Sequence, residues 1–180
     1  MEHRIVVAGF GGQGVLLIGN ILCHAGMDEG KNVSWLPSYG PEMRGGTASC
    51  SVTISDSEIG SPIVTQPEIC IVMNQPSYDK YLPAVQKGGK MFVNASLIHP
   101  ETVRDDIETY LVPTAEVAKE VGNLRTANMV MLGAVVHETG LVEMHSVMKS
   151  LEESFGERRK HLLPVNEQAM QLGAQRTQKL

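Results

Sequence analysis

Arg4-Ile5-Val6-Val7-Ala8-Gly9-Phe10-Gly11-Gly12-Gln13-Gly14 is the stretch that decides the fold. The unbroken apolar run at its start reads as a buried strand, and the glycines that follow at once read as a tight turn into a helix. Gly9, Gly11 and Gly14 also spell the G-x-G-x-x-G spacing of dinucleotide sites. A glycine turn at this place leaves the first N–H groups of the helix open to an anion, with the helix dipole in support. Three readings stay open: an NAD(P) site, a contact with another phosphate, coenzyme or protein, and simple tight packing of helix on strand. A dinucleotide site needs an acid at the end of the second strand to hold the ribose. Trp35-Leu36-Pro37-Ser38 stands there instead, and Asp28 and Glu29 come too early. Arg44, the first basic residue that suits a 2′-phosphate, lies in a different loop.

Outward from the turn, a helix is predicted over 13–28, with Val15, Leu16, Ile18, Ile21, Leu22 and Ala25 on one face and Gly30 beyond its end. A short strand over 33–36 stops at Pro37. Thr47–Ser55 alternates apolar and polar, which predicts a half-buried strand at or near a sheet edge. Ile69-Cys70-Ile71-Val72-Met73 is continuous and apolar, as in a central parallel strand. Pro76 opens a helix to about residue 87, and strands follow at Lys90–Asn94 and Glu108–Val112. Helices are predicted over 114–121, 126–139, 143–155 and from 165, the last fraying over 175–180. Alternating strands and helices indicate an α/β fold, one domain over 1–180, with a doubly wound, mostly parallel sheet and helices on both faces. The helices of the second half lack intervening strands, so they cover one face or form an interface.

Composition narrows the function. The 180 residues carry 15 basic and 20 acidic side chains, a net charge of −5, which argues against a nucleic-acid or membrane-surface binder. The basic run Arg158-Arg159-Lys160-His161 reads as solvated surface. Cys23, Cys50 and Cys70 are far apart and lie in apolar segments, so they read as buried free thiols of a cytoplasmic protein rather than zinc or cluster ligands. The glycines and Glu2 speak against reading the N-terminal stretch as a signal peptide, and no apolar run reaches transmembrane length. The six histidines show no ligand spacing, His137 reads as a structural histidine, and Met129, Met131, Met144 and Met148 read as core or subunit contacts. No catalytic residue and no metal ligand is assigned.

Tyr39-Gly40-Pro41-Glu42-Met43-Arg44-Gly45-Gly46 is the second informative stretch. It follows the second strand, so it is expected beside the glycine turn, where loops at the carboxyl ends of strands line the crevice of an open sheet. Pro41 stiffens it, and Glu42 pairs with Arg44 or reaches a partner.

Together, Gly9–Gly14 and Tyr39–Ala48 resemble the gamma subunit of 2-oxoacid:ferredoxin oxidoreductases, the family of the pyruvate, 2-oxoglutarate, 2-oxoisovalerate and indolepyruvate enzymes. Asn128-Met129-Val130-Met131-Leu132-Gly133, and Asn166-Glu167-Gln168-Ala169 followed by Gly173, extend the resemblance over nearly the whole chain. It implies an oxidoreductase that decarboxylates a 2-oxoacid, transfers the acyl group to coenzyme A and passes two electrons to ferredoxin, its acceptor. The resemblance further implies that thiamine diphosphate, magnesium and iron–sulfur clusters sit on alpha, beta and delta-type partner subunits, and that this chain alone binds none and is inactive alone. The sites it implies for the coenzyme A-side interface are Gly9, Gly11, Gly12, Gln13, Gly14, Tyr39, Gly40, Pro41, Glu42, Arg44, Gly45, Gly46 and Asn128. Arg44 would meet a phosphate or carboxylate, Glu42 would orient it, and Gln13 would hydrogen-bond across the interface. The alternative is an NAD(P)- or coenzyme A-binding module that acts alone.

Overall fold

The computed structural model describes residues 1–38 and 46–180. In chain order the elements are β1 (Glu2–Phe10), α1 (Val15–Asp28), β2 (Asn32–Ser38), β3 (Thr47–Ser55), β4 (Ile69–Val72), α2 (Gln75–Tyr81), β5 (Lys90–Asn94), β6 (Glu108–Val112), α3 (Thr114–Glu120), α4 (Ala127–Thr139), α5 (Met144–Arg159), α6 (Leu163–Arg176) and β7 (Gln178–Lys179). The described residues form a seven-stranded sheet in the order β2-β3-β1-β4-β5-β6-β7.

The centre of the sheet is parallel. β1 pairs with β4, β4 with β5 and β5 with β6, each in parallel register. These strands read as continuous apolar runs because both of their faces are covered. Ile5 and Val7 of β1 join Ile69, Ile71 and Phe92 on one face, under α1 and α3–α6. Val6 and Ala8 join Cys70, Val72, Met91 and Val93 on the other, under Tyr78, Leu82 and Ile98 around α2. The expected two-faced α/β architecture therefore holds, with five helices on one side and one on the other. α2 is shorter than predicted, because the chain tightens to a 3-10 turn at Leu82–Ala84, where Pro83 cannot donate a helical hydrogen bond.

Two strands depart from a simple parallel winding. β3 runs antiparallel to both β1 and β2 and stands between them. β2 becomes the outer edge, and Pro37 removes a donor from it. At the opposite edge the C-terminus does not fray: Leu111 pairs with Gln178 and Tyr110 with Lys179. Side chains hold this two-residue strand. Glu108 accepts from Lys90 and, at 2.6 Å, from the Tyr110 hydroxyl, and it lies 3.2 Å from Lys179 Nζ. Lys90 and Lys179 both lie over the Tyr110 ring, which stacks on Phe92 with centroids 4.9 Å apart.

α4 and α6 touch through two glycines. A Cβ at Gly133 would stand 2.6 Å from the Met170 carbonyl carbon, and one at Gly173 would stand 2.9 Å from that of Val130. The two family-like segments of the second half thus meet as one helix pair. The three cysteines are buried and unpaired, and burial pushes the Cys50 thiol up to about 11. Met129 and Met131 lie in the core, whereas His137 is exposed and is not a core histidine. No helix among the described residues is long and apolar enough to cross a membrane.

Candidate functional site

The site is built at the carboxyl ends of the parallel strands, where an open α/β sheet places its ligand crevice. β1 ends at Phe10, and the chain turns through Gly11–Gly14 into α1. Gly14 caps the helix in the left-handed conformation, with φ 73° and ψ 23°, and no side chain caps it. The first turn of α1 carries no acidic residue. Its free N–H groups therefore face outward without a competing carboxylate.

Gln13 is turned inward, against the expectation of a contact across an interface. Its Oε1 accepts from the Phe10 N–H at 2.6 Å, and its Nε2 donates to the Met73 carbonyl at 3.0 Å. A glutamine side chain is long enough to reach back to its own turn, and it ties the end of β1 to the end of β4. The Met73 carbonyl also accepts from Asn94 Nδ2 at 3.0 Å. Asn94 Oδ1 accepts in turn from the Thr114 hydroxyl at 2.6 Å and the Ser96 N–H at 3.2 Å. One chain of hydrogen bonds thus links the ends of β1, β4, β5 and β6 and holds the floor of the site rigid.

Over this floor lies a cavity of about 450 Å³, with Gly12, Gln13 and Gly14 on one side and Leu124, Arg125 and Asn128 of the α4 entry on another. Asn128 is buried in the first turn of α4. Its side chain fills the space above Gly14, where a Cβ would come within 2.8 Å of Asn128 Cγ. Four residues expected from the sequence, Gly12, Gln13, Gly14 and Asn128, are brought together here. Gly9 lies just beneath, packed against Met73 and Val15. The Gly11 N–H donates to the Gly46 carbonyl at 3.3 Å, so the end of the second loop does abut the glycine turn. Tyr39, Gly40, Pro41, Glu42, Arg44 and Gly45 lie outside the described residues.

Sequence reading missed Asn94, Thr114 and Arg125. The strand-end rule pointed to the first two, since each stands where a parallel strand gives way to a loop or helix. Two exposed apolar side chains, Leu97 and Leu124, stand among the lining residues, 55% and 70% exposed.

The lining decides what chemistry the cavity suits. Among the described residues no carboxylate borders it, and Arg125 is the one charged group there. Among the described residues no three His, Cys, Asp or Glu side chains gather in a way that could hold a metal ion. The donor set of the described residues fits an anionic or polar ligand. A dinucleotide fits poorly. β3 separates β1 from β2, so the end of the second strand lies two strand spacings from the glycine turn, roughly 9.5 Å, instead of one.

The family described as Pyruvate ferredoxin/flavodoxin oxidoreductase matches residues 4–176. Ketoisovalerate oxidoreductase subunit VorA of Methanothermobacter marburgensis is 39% identical over 175 residues, covering 96% of this chain. The chain spans only 36% of that relative's length. The 2-oxoglutarate synthase subunit KorC of Methanocaldococcus jannaschii is 37% identical over 168 residues, 91% of this chain and 90% of the relative. The crystal structure of the gamma subunit of a keto/oxoacid ferredoxin oxidoreductase from Geobacter sulfurreducens superposes with a TM-score of 0.81 at 30% identity, covering 96% of each chain.

Proposed function

The chain belongs to the pyruvate ferredoxin/flavodoxin oxidoreductase family, and on that premise we propose that it is the gamma subunit of a cytoplasmic 2-oxoacid:ferredoxin oxidoreductase. In this reading the complex oxidises a 2-oxoacid and coenzyme A to acyl-CoA and carbon dioxide, and two ferredoxins each take one electron. Alpha, beta and delta-type partners carry thiamine diphosphate, magnesium and the iron–sulfur clusters. This chain supplies one wall of the coenzyme A side and a docking crest.

The observation that carries the reading is the cavity at the strand ends. It offers backbone N–H groups, amides and an arginine, with no carboxylate among the described residues, beside the exposed apolar Leu97 and Leu124. Such a wall can bind and orient an anionic group. The relatives are named for two different 2-oxoacids, which supports assigning the choice of acid to contacts made by partner subunits. Gly9, Gly11, Gly12, Gly14, Gly46 and Asn128 shape the wall. Tyr39, Gly40, Pro41, Glu42, Arg44 and Gly45 are assigned to the same coenzyme A side, with Arg44 as its anion-binding fork. The alternative, a free-standing NAD(P) or coenzyme A module, is opposed by the displaced second strand and its missing ribose acid.

The test is affinity purification of the tagged chain from its native cell. Co-elution with thiamine- and cluster-bearing chains, and ferredoxin reduction that depends on coenzyme A, are the expected results. Recovery of the chain alone, with tight NADH binding, would replace this reading by the alternative. In the reconstituted complex, Arg44→Ala should raise the coenzyme A requirement; unchanged assembly and unchanged coenzyme A dependence would remove Arg44 from the site.

A further inference from the structure

The last carbonyls of a parallel sheet stand at the carboxyl ends of its strands, beside the crevice. Each is an acceptor with two lone pairs, and one left bare would turn negative charge on an anion held there.

In this sheet the chain answers its own strand-end carbonyls. The Phe10 carbonyl accepts from the Gln13 N–H at 3.2 Å. The Asn94 carbonyl accepts from the Leu97 and Ile98 N–H groups at 3.2 and 2.9 Å, and that of Val112 accepts from the Ala95 N–H at 3.0 Å. These three are met by backbone and need no particular side chain. Met73, just past the end of β4, differs. Its carbonyl accepts from two side-chain amides, Gln13 Nε2 and Asn94 Nδ2, each at 3.0 Å. Two donors fill both lone pairs.

The direction of both amides is fixed. A backbone N–H can only donate, so the side-chain atom it reaches is the oxygen. The Phe10 N–H thus marks Gln13 Oε1, and the Ser96 N–H marks Asn94 Oδ1, which the Thr114 hydroxyl also reaches at 2.6 Å. The NH2 of each amide is left to face the Met73 carbonyl. All three residues line the cavity at the glycine turn. Asn94 is only 2% exposed, so water does not compete for its amide.

We propose that Gln13 and Asn94 are selectivity residues: by closing off the Met73 carbonyl they give the cavity floor its preference for an anion over a cation or a hydrogen-bond donor. Gln13 then does two things. Its oxygen holds its own turn, and its nitrogen sets the polarity of the floor. The role rests on the coenzyme A reading of this cavity, and it concerns the anionic part of that ligand.

The experiment measures ferredoxin reduction by the reconstituted complex as coenzyme A is varied, with inorganic pyrophosphate as a competing anion. Two variants unmask the carbonyl in different ways. Gln13→Met removes one donor and adds no charge. Asn94→Asp keeps an acceptor for Ser96 and Thr114 but removes the other donor. Each should raise the KM for coenzyme A about tenfold with kcat within about twofold, and should weaken pyrophosphate inhibition by a similar factor. A general loosening of the fold would lower kcat and assembly together and give no such split. Asn94→Ser, which also withdraws the donor, replaces Asn94→Asp if that variant does not assemble. A rise in KM for Asn94→Asp alone would trace to its added charge, and one for Gln13→Met alone to the loosened turn; either overturns the proposal. So do KM values that neither variant moves, or a wild-type complex that pyrophosphate does not inhibit competitively. A wild-type complex whose rate ignores coenzyme A removes the underlying reading as well, whereas a coenzyme A-dependent complex with indifferent variants removes only the role of the two amides.

Discussion

The side chain of Asn128 occupies the space that a β-carbon on Gly14 would need, so the first turn of α4 rests directly on the first turn of α1. The two residues stand 114 positions apart in sequence and form one joint in the fold. Gly14→Ala is therefore expected to cost about 2 kcal/mol or more, from a left-handed alanine together with the displaced amide. Asn128→Ala in the same chain should return part of that loss, since it opens the space but leaves the backbone strain. Urea unfolding of the two single variants and the double variant measures the non-additivity that contact predicts.

Gln13 is predicted to be a structural staple. Gln13→Ala leaves the Phe10 N–H and the Met73 carbonyl each short of one partner, a loss of about 1–2 kcal/mol. Hydrogen exchange gives the sharper readout. The Phe10 amide should exchange faster in the variant, while amides in the middle of β5 keep their protection. Unchanged exchange at Phe10 would show that the staple does not hold in solution.

The α4–α6 contact leaves no room for a methyl group on either helix. A Cβ on Gly173 or Gly133 meets the partner helix backbone, which cannot step aside as a side chain can. Gly173→Ala and Gly133→Ala should each destabilise by about 3 kcal/mol, the upper part of the overpacking range. Thermal melts should show a drop of several degrees for each, and Gly60→Ala, where no atom lies within 4 Å, serves as the control.

Acid should loosen the far edge of the sheet. Lys90 and the Tyr110 hydroxyl beside Glu108 hold its carboxyl at about 2, below the unfolded value of about 4.3. Between these values the unfolded chain takes up a proton that the folded chain refuses. The stabilisation is thus complete above about pH 4.5 and is lost as the pH falls toward 2. Glu108→Gln should flatten this part of the stability–pH curve, and protection of the Leu180 amide, which donates to the Thr109 carbonyl at 2.9 Å, should fall in the same range.

Much of this architecture is legible in the chain. The apolar runs at Ile69–Val72 and Lys90–Asn94 become central strands because both faces of the sheet are covered, and their composition says as much. Gly12, Gly14 and Asn128 converge as the motifs suggest. The misses share a physical cause. Gln178 and Lys179 are a strand only because Tyr110 and Leu111 offer a free edge and Glu108 draws Lys179 in, and no local pattern carries that information. Asn94, Thr114 and Arg125 gain their meaning from neighbouring strand ends, which topology sets and spacing does not. Gln13 sits where an outward donor would be useful, but its own turn satisfies it first.

Both margins of the sheet are poor templates for another strand. One is a two-residue stub clasped by lysines, and the other carries Pro37 near its end. Both features disfavour the addition of a further strand at these edges. The crest formed by strand ends and helix starts, in contrast, presents side chains and, among the described residues, no unpaired strand edge.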